Sequence, residues 1–320
     1  MASPFEIYDL LEDYAAGPEA VREVIIGLVW TYCEAEAIGL AMSPGIPTRT
    51  LPWAGSLRGR PLAELARWVR SFEPYPATLG MAAVNAAINH RHSLPEGVRL
   101  PAGLNGNLAV FEHFLPLIRD KKTVVIGRYP GLDEFIRTNA LDIMVLERQP
   151  GPGDVTDAAS EYLLPEAEWV FLTASSIPNK TFPRLAELSR AATTVLMGPT
   201  LPWLPDLHHF GIDYLAGVEM ADRAEARSIV AEGGGVRLFE GAVRYRVAPL
   251  SSAPAGDWSK QLIARTASEK DRLTRAMDDW YGRGATLRFP QLAELEATQR
   301  ALSRLDTCYQ RLWEARQHGH

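Results

Sequence analysis

Between residues 120 and 248, short continuous apolar runs alternate with longer segments of helical periodicity. Apolar runs of this length separated by helices are typical of parallel strands that are buried on both faces. The predicted helices occupy residues 130–139, 160–164, 181–192 and 222–232. The predicted strands are Thr123–Ile126, Asp142–Leu146, Trp169–Thr173, Thr194–Met197 and Asp213–Leu215. The pattern predicts an α/β fold with a doubly wound parallel sheet.

The segment before this unit has a different pattern, which predicts a smaller α+β unit. Helical periodicity runs through Phe5–Tyr14, Leu62–Phe72 and Leu79–Asn89, and the last of these begins with small residues that allow close packing. Val21–Cys33 and Ala37–Met42 are apolar and rich in β-forming residues, so we expect them to pair as strands.

The last 70 residues predict a helical hairpin with its turn at Gly282 and Gly284. Packing against the protein's own body and a homodimer contact through residues 257–317 are equally compatible with its leucine pattern. Pro249–Asp257 is rich in Pro, Ser, Ala and Gly and is interpreted as a linker. The predicted domains are therefore residues 1–118, 119–250 and 251–320. The apolar stripes of the two helices contain Leu262, Leu273, Met277 and Trp280, and Leu292, Leu295, Leu302, Leu305, Tyr309 and Leu312.

Composition excludes several classes of protein. Hydrophobic residues make up 47% and charged residues 22% of the 320 residues, as in ordinary globular proteins. The net charge of −6 argues against a nucleic-acid partner. The most apolar stretch, Val24–Cys33, is too short to span a bilayer, and the N-terminus has no secretory signal. Two cysteines, Cys33 and Cys308, fit a cytoplasmic protein without disulfide bonds.

A glycine turn follows the first predicted parallel strand, at Gly127 and Gly131. Such strand-to-helix turns expose backbone N–H groups to an anion. Glu147 ends the second strand, 20 residues after Gly127, where dinucleotide-binding folds carry the acidic residue that holds ribose hydroxyls. The full glycine fingerprint is missing, so a tight turn beside an exposed carboxylate explains the pattern equally well.

The third and fourth strands end in small and polar residues. Ligands of parallel sheets bind at the carboxyl ends of the strands, so the convergence of these loops predicts a pocket. Asn179 or Thr181 also suits the start of the next helix as a cap, and Lys180 suits either an anionic ligand or plain solvation of the loop. The candidate residues in these loops are Thr173, Ser175, Asn179, Lys180, Thr181, Gly198, Pro199 and Thr200.

Motifs for metal binding and for common catalytic chemistries are missing. The local histidine pairs His90/His92 and His208/His209 lack the spacing of a helical zinc pair, and there is no C-x-x-C motif. The G-x-S-x-G elbow and the Walker phosphate loop are missing as well. No residue is assigned to catalysis, and enzymatic activity stays an open question.

The ordered set of motifs nevertheless resembles the family known as "putative heavy-metal chelation" domains. The set comprises Val125–Pro130, Val145–Asp154, Leu163–Thr173, Asn179–Thr181, Gly198–Thr200 and Phe210–Gly217, with the upstream segments IGLVWTYCEAEAIGLAM and LGMAAVNAAIN. The resemblance implies an enolase-N-terminal-like domain, a Rossmann-like domain and a ligand cleft between them. Residues implied for that cleft are Asn85, Glu147, Thr173, Asn179, Thr181, Gly198 and Pro199.

This chain departs from the family pattern at two positions. Lys180 stands where glycine is usual, and Thr200 stands where serine is usual. A lysine at the mouth of the pocket would add positive charge, which fits an anionic ligand better than a bare cation.

Three functions remain open at this point. The first is a cytoplasmic protein that binds or processes a heavy metal or a metal–chelate complex, with oxygen donors such as Glu147, Thr173 and Asn179. The second is an enzyme that uses the Rossmann-like cleft for a nucleotide-like or other anionic small molecule, with Glu147 on the ribose. The third is an inactive scaffold that dimerises through the C-terminal hairpin. The ligand is accordingly a metal ion, a metal complex or a nucleotide-like molecule.

Overall fold

The computed structural model of the protein describes residues 3–317. Its helices are α1 (Glu6–Ala15), α2 (Leu62–Ala66), α3 (Pro74–Arg91), α4 (Ala109–Ile118), α5 (Leu132–Asn139), α6 (Ser160–Leu163), α7 (Phe182–Leu188), α8 (Arg223–Ala231), α9 (Ser252–Gly282) and α10 (Leu292–Gln317). Its strands are β1 (Glu23–Ile26), β2 (Trp30–Glu34), β3 (Ile38–Met42), β4 (Val98–Arg99), β5 (Thr123–Ile126), β6 (Ile143–Glu147), β7 (Val155–Thr156), β8 (Trp169–Thr173), β9 (Thr193–Met197), β10 (Tyr214–Met220) and β11 (Val243–Pro249).

The centre of the molecule is an eight-stranded sheet in the order β4-β11-β10-β9-β8-β5-β6-β7. The six strands from β7 to β10 are parallel, whereas β11 and β4 run antiparallel. Alternate residues of β5 enter different cores, because Val124 and Ile126 pack in one cluster and Val125 in the other. Burial of both faces explains the continuous apolar runs, and the predicted doubly wound parallel sheet is confirmed.

The smaller antiparallel sheet has the order β1-β2-β3 and packs against α3. The prediction of a single strand over Val21–Cys33 was wrong, because a tight turn divides this segment into β1 and β2. The N–H of Gly27 donates to the carbonyl of Trp30 within the turn. A Cβ atom at Gly27 would lie only 2.3 Å from the Val230 carbonyl oxygen, so a side chain does not fit there. The turn was not predicted because it lies within a continuous apolar run, in which the hydrophobic pattern does not mark a break.

Small residues bring β3 and α3 into close contact, as the sequence predicted. A Cβ atom at Gly39 would lie 2.0 Å from the carbonyl oxygen of Ala82 in α3. On another side of the same helix, a Cβ atom at Gly80 would lie 2.0 Å from the backbone nitrogen of Val69. The resulting helix is buried over most of its length.

Strand β11 is absent from the sequence-based prediction, and β10 extends five residues beyond the predicted end at Leu215. The two strands pair with each other over their full length at the edge of the parallel series. In β11, buried Val243, Tyr245 and Val247 alternate with the more exposed Arg244 and Arg246. β11 was missed because the prediction relied on continuous apolar runs, whereas this strand alternates between buried and exposed residues.

The C-terminal hairpin forms as predicted, but the predicted linker is wrong beyond residue 251. Helix α9 begins at Ser252, and Ala255 and Trp258 are buried in its first two turns. Pro254 is accommodated because the first turn of a helix lacks backbone acceptors for its own N–H groups. The indole of Trp258 donates a 2.8 Å hydrogen bond to the Ser93 carbonyl, and Leu305 shares a core with α1. The hairpin thus packs against the protein's own body, while the predicted dimer contact stays a prediction.

None of the helices within residues 3–317 combines the length and the apolar character that crossing a membrane requires.

Candidate functional site

The carboxyl ends of β5, β6, β8 and β9 meet at one edge of the large sheet and carry most of the predicted site residues. Gly127 follows β5 with a φ of 98°, a conformation that favours glycine. A Cβ atom at this position would lie 3.3 Å from Cβ of Thr173 at the end of β8. The predicted glycine turn and the predicted third-strand loop are therefore direct neighbours.

Glu147 ends β6 as predicted, but its carboxylate is engaged by the backbone. Its Oε2 accepts a 3.0 Å hydrogen bond from the N–H of Arg128, and its Oε1 accepts a 2.8 Å bond from the N–H of Arg148. The carboxylate therefore orders the glycine turn after β5. Free lone pairs remain on both oxygens, since each carboxylate oxygen accepts more than one hydrogen bond.

The glycine turn carries its own balance of charges. The Arg128 guanidinium lies 2.7 Å from Asp154, and this contact holds the pKa of the Asp154 carboxyl below its usual range. Asp133 and Glu134 occupy the first turn of α5, where they already complement the positive end of the helix dipole. A second anion at this helix end would meet two carboxylates, which disfavours the phosphate site that the glycine turn suggested.

The loop after β8 brings three hydroxyl groups together. The side-chain oxygens of Thr173 and Ser175 are 3.0 Å apart and share a hydrogen bond. The Tyr129 hydroxyl lies near Thr173 but is buried without a hydrogen-bond partner, and burial raises the pKa of this phenol. Sequence analysis missed Tyr129, although it lies inside the glycine turn that was singled out. Its position next to Pro130 between two glycines was the available signal.

Asn179 and Thr181 serve the local structure of the loop. Oδ1 of Asn179 accepts from the N–H of Thr181 at 3.1 Å and from the Thr181 hydroxyl at 2.7 Å. This arrangement orders the turn that precedes α7. The capping alternative is wrong, because neither side chain accepts a hydrogen bond from an N–H group at the start of α7. The two bonds from Thr181 occupy the amide oxygen of Asn179, which would otherwise be available to bind a ligand.

Lys180 adopts a left-handed backbone conformation with a φ of 74°. Its ammonium donates to the carbonyls of Val69 and Pro178, at 2.7 and 2.9 Å, and lies 4.9 Å from the centroid of the Tyr8 ring. Burial lowers the pKa of this lysine to about 8. The ammonium is therefore tied to the N-terminal helical layer, whereas the sequence predicted a free charge at the pocket mouth. The left-handed backbone explains why glycine suits this position.

Asn85 and Thr200 are brought together from distant parts of the chain. The Asn85 amide group donates to the carbonyls of Leu40 and Thr200, at 2.9 and 3.0 Å. The Thr200 hydroxyl accepts a 2.9 Å bond from the N–H of Met42. Gly198, with a φ of 111°, and Pro199 form the sharp turn that places Thr200 within hydrogen-bond distance of Asn85 and Met42. The loop after β9 is thereby attached to β3 and α3.

Two buried side-chain atoms within residues 3–317 have no hydrogen-bond partner: Oδ1 of Asn85 and the hydroxyl oxygen of Tyr129. Asn85 bonds the loop after β9, and Tyr129 lies near the end of β8, the neighbouring strand. Buried polar groups without partners cost about 1–3 kcal/mol each, so their occurrence at one edge of the sheet calls for an explanation.

A bare metal ion does not fit the side chains that the structure describes. Residues 3–317 contain no group of three or more His, Cys, Asp or Glu side chains placed to hold one. Cys33 and Cys308 are both buried, and burial raises the pKa of each thiol. His92 is also enclosed, and burial lowers its pKa to about 4. These potential soft-metal ligands serve as core side chains.

Fold and site edge together define an α/β protein in which a doubly wound sheet is combined with a small antiparallel sheet. Residues 109–249 match the family model DUF364 and residues 8–88 match DUF4213, and both are described as "Putative heavy-metal chelation". The two matches together cover more than two thirds of the chain, which belongs to this family. No curated protein matches the chain.

Two solved structures are similar to this chain. A protein of unknown function from the DUF364 family of Desulfitobacterium hafniense is 29% identical, with a TM-score of 0.64, and the match covers 77% of this chain and 98% of that one. A second protein of unknown function from the same family, from Pyrococcus horikoshii, is 22% identical, with a TM-score of 0.61 and coverage of 77% and 99%. The second shows the fold alone.

Proposed function

We propose that this protein binds a small metal–chelate complex at the carboxyl edge of the large sheet, between the ends of β5, β8 and β9 and the N-terminal unit. The single observation that carries the proposal is the pair of buried polar atoms without partners, Asn85 Oδ1 and the Tyr129 hydroxyl oxygen. One is an acceptor and the other is both donor and acceptor. A polar ligand at this edge would satisfy them, and the family description supports a metal-related one.

A complexed metal fits this edge better than a free one. Both carboxylate oxygens of Glu147 and the amide oxygen of Asn179 already accept backbone N–H groups. Heavy metals prefer sulfur and nitrogen ligands, which the described part of this edge does not supply as a cluster. A chelator would supply the ligands of the metal itself and present polar groups to Tyr129, Thr173 and Asn85. The metal is then cargo, and no catalytic step is assigned to the protein.

The alternative is an enzyme that holds a nucleotide-like anionic molecule at the same edge. The position of Glu147 at the end of β6 favours it, because this is the strand end at which ribose-binding carboxylates lie. The carboxylates Asp133 and Glu134 in the first turn of α5 argue against a phosphate there. A cytoplasmic location, and the absence of nucleic-acid and membrane partners, are part of the same proposal and rest on the composition and the net charge of −6.

The first experiment is native mass spectrometry of the protein purified without chelators. An excess mass that matches a metal complex supports the proposal. A mass that matches a nucleoside-containing molecule overturns it in favour of the alternative.

Calorimetry then compares zinc citrate with free Zn²⁺ as probes. We expect zinc citrate to bind, with an affinity that drops about tenfold in Tyr129→Phe, because one hydrogen bond to a charged group is lost. Tyr162→Phe is the matched control, since Tyr162 is 79% exposed. Equal affinities of both variants, or tighter binding of free Zn²⁺ than of the complex, would contradict the proposal.

A further inference from the structure

A cavity away from the strand ends lies where the C-terminal hairpin meets the N-terminal unit. It has a volume of ≈480 Å³, which lies within the range of small-molecule sites. Its walls come from the ends of α1 and α3, from the middle of α9 and from the first turns of α10. The family matches end at residue 249, so both helices of the hairpin lie outside them. The cavity is therefore not the edge considered above.

An ion pair forms one wall of this cavity. The side chain of Glu19 is 8% exposed and accepts a 2.9 Å hydrogen bond from Nε of Arg91. It also forms an ion pair with a terminal nitrogen of the same guanidinium. A third nitrogen of Arg91 donates to the Ala16 carbonyl. A Cβ atom at Gly17 would collide with this guanidinium in its present position. The charges of Glu19 and Arg91 in this wall neutralise each other.

The other acidic side chains in the cavity also have partners. Arg272 holds Glu269 through two hydrogen bonds of 2.9 and 2.6 Å. The same guanidinium lies 3.8 Å from Glu294, which also accepts a 2.9 Å bond from the amide of Gln291. Glu269 and Glu294 therefore share the single positive charge of Arg272.

Arg265 differs from every other charged group in this cavity. Its only hydrogen bond within residues 3–317 is a long one of 3.4 Å to the His90 carbonyl, and no described carboxylate pairs with it. Thr266 and Ser268, which carry hydroxyl groups, line the same space, as do the small apolar residues Ala297 and Ala301. The cavity thus combines one unpaired guanidinium, hydroxyl groups and an apolar wall.

We propose that this cavity is a second ligand site, which takes a small organic acid with one carboxylate on a short, partly apolar body. The planar guanidinium of Arg265 matches a carboxylate through two parallel hydrogen bonds. A singly charged head is favoured over a phosphate dianion, because the paired carboxylates of Glu19, Glu269 and Glu294 still repel additional negative charge. The apolar body of the ligand would lie against Ala297 and Ala301.

Benzoate and benzamidine test the charge preference of the cavity, because they have nearly the same shape and opposite charge. Calorimetry on the full chain is expected to show saturable benzoate binding and much weaker binding of benzamidine, with phenyl phosphate between them. Binding of benzamidine at least as tight as that of benzoate would overturn the proposal, as would no saturable benzoate binding.

Two variants locate the binding. Arg265→Gln is expected to weaken benzoate binding about tenfold, the effect of one charge-assisted hydrogen bond. Arg275→Gln is the matched control, because Arg275 is an exposed arginine on the same helix whose one hydrogen bond in the described part of the chain goes to the Asp271 carbonyl. Ala301→Leu is expected to abolish binding by filling the space without a change of charge. If Arg265→Gln and Arg275→Gln bind benzoate equally, the assignment of Arg265 is wrong.

Discussion

The hydroxyl of Tyr14 in α1 donates a hydrogen bond of 2.9 Å to Oδ2 of Asp206, 192 positions later in the chain. Both side chains are buried, and burial raises the pKa of Asp206 to about 6. The thiol of Cys308 in α10 lies beside the carboxyl group, and burial raises the pKa of this thiol as well. The first helix, the segment before β10 and the C-terminal hairpin therefore meet at one acidic group.

This contact makes the stability of the protein depend on pH. Between the ordinary pKa of 3.8 and about 6, the folded chain keeps a proton on Asp206 that the unfolded chain has released. The stability contributed by this group consequently decreases as the pH rises through that interval, by about 3 kcal/mol in all. Asp206→Asn keeps an acceptor for Tyr14 and removes the titration. In urea unfolding at pH 4.5, 5.5 and 7, we expect the free energy of unfolding of the variant, relative to that of the wild type, to increase at each higher pH.

Tyr14→Phe is the complementary variant. It retains the ring and removes the donor, which leaves the buried carboxylate of Asp206 without this hydrogen bond. We expect a loss of about 1–3 kcal/mol in the free energy of unfolding at pH 7 and a smaller loss at pH 4.5, where the carboxyl is protonated. If Asp206→Asn and the wild type show parallel pH profiles, Asp206 is ionised in the folded state throughout this range.

Asn85 and Asn89 test how strongly α3 is attached to its surroundings. Both amides donate to β3, to the carbonyls of Leu40 and Ile38, but Asn85 also donates to Thr200 and is 2% exposed. Asn85→Ala should lower the free energy of unfolding by about 2–4 kcal/mol, because two buried carbonyls lose their donor. Asn89→Ala, its matched control one turn away, should cost about 1 kcal/mol. Equal losses in chemical denaturation would show that the bond to Thr200 contributes nothing.

Lys180 combines backbone strain with favourable side-chain contacts, and two substitutions separate these effects. Lys180→Ala removes the bonds of the ammonium to Val69 and Pro178 and keeps a side chain at a φ of 74°. Lys180→Gly removes the same bonds and relieves the strain. We expect the glycine variant to be more stable than the alanine variant by about 1 kcal/mol in thermal unfolding. An alanine variant as stable as the glycine variant would show that the left-handed conformation is not retained.

Trp258 and Trp313 test whether the hairpin serves the protein's own body or an interface between copies. Trp258 is 3% exposed and bonds Ser93, whereas Trp313 is 53% exposed. Trp258→Ala should lower the free energy of unfolding by about 3–5 kcal/mol through lost burial. Trp313→Ala should leave it nearly unchanged.

Light scattering on the Trp313→Ala variant examines the predicted homodimer through residues 257–317. A wild type that is dimeric and a variant that is monomeric would support that contact. Dimers of unchanged mass would place the contact away from Trp313.

Local periodicity and backbone chemistry were sufficient to predict several parts of this protein. The apolar runs at Thr123–Ile126 and Trp169–Thr173 are buried on both faces, and this pattern is sufficient to indicate a parallel sheet. Glycine at position 127 marked a turn that requires a positive φ. The placement of Glu147 at a strand end followed from the same argument.

The hydrogen-bond partners of these groups could not be predicted, because many of them lie far apart in sequence and meet only in the folded chain. Glu147 was predicted as a ribose-binding or an exposed carboxylate, and the structure adds that it accepts bonds from the N–H groups of Arg128 and Arg148. Lys180 is bound to Val69, 111 positions away, and Asn85 to Thr200, 115 positions away. A periodic pattern records which face of an element is buried, whereas hydrogen bonds and cavities depend on how separate elements pack against each other.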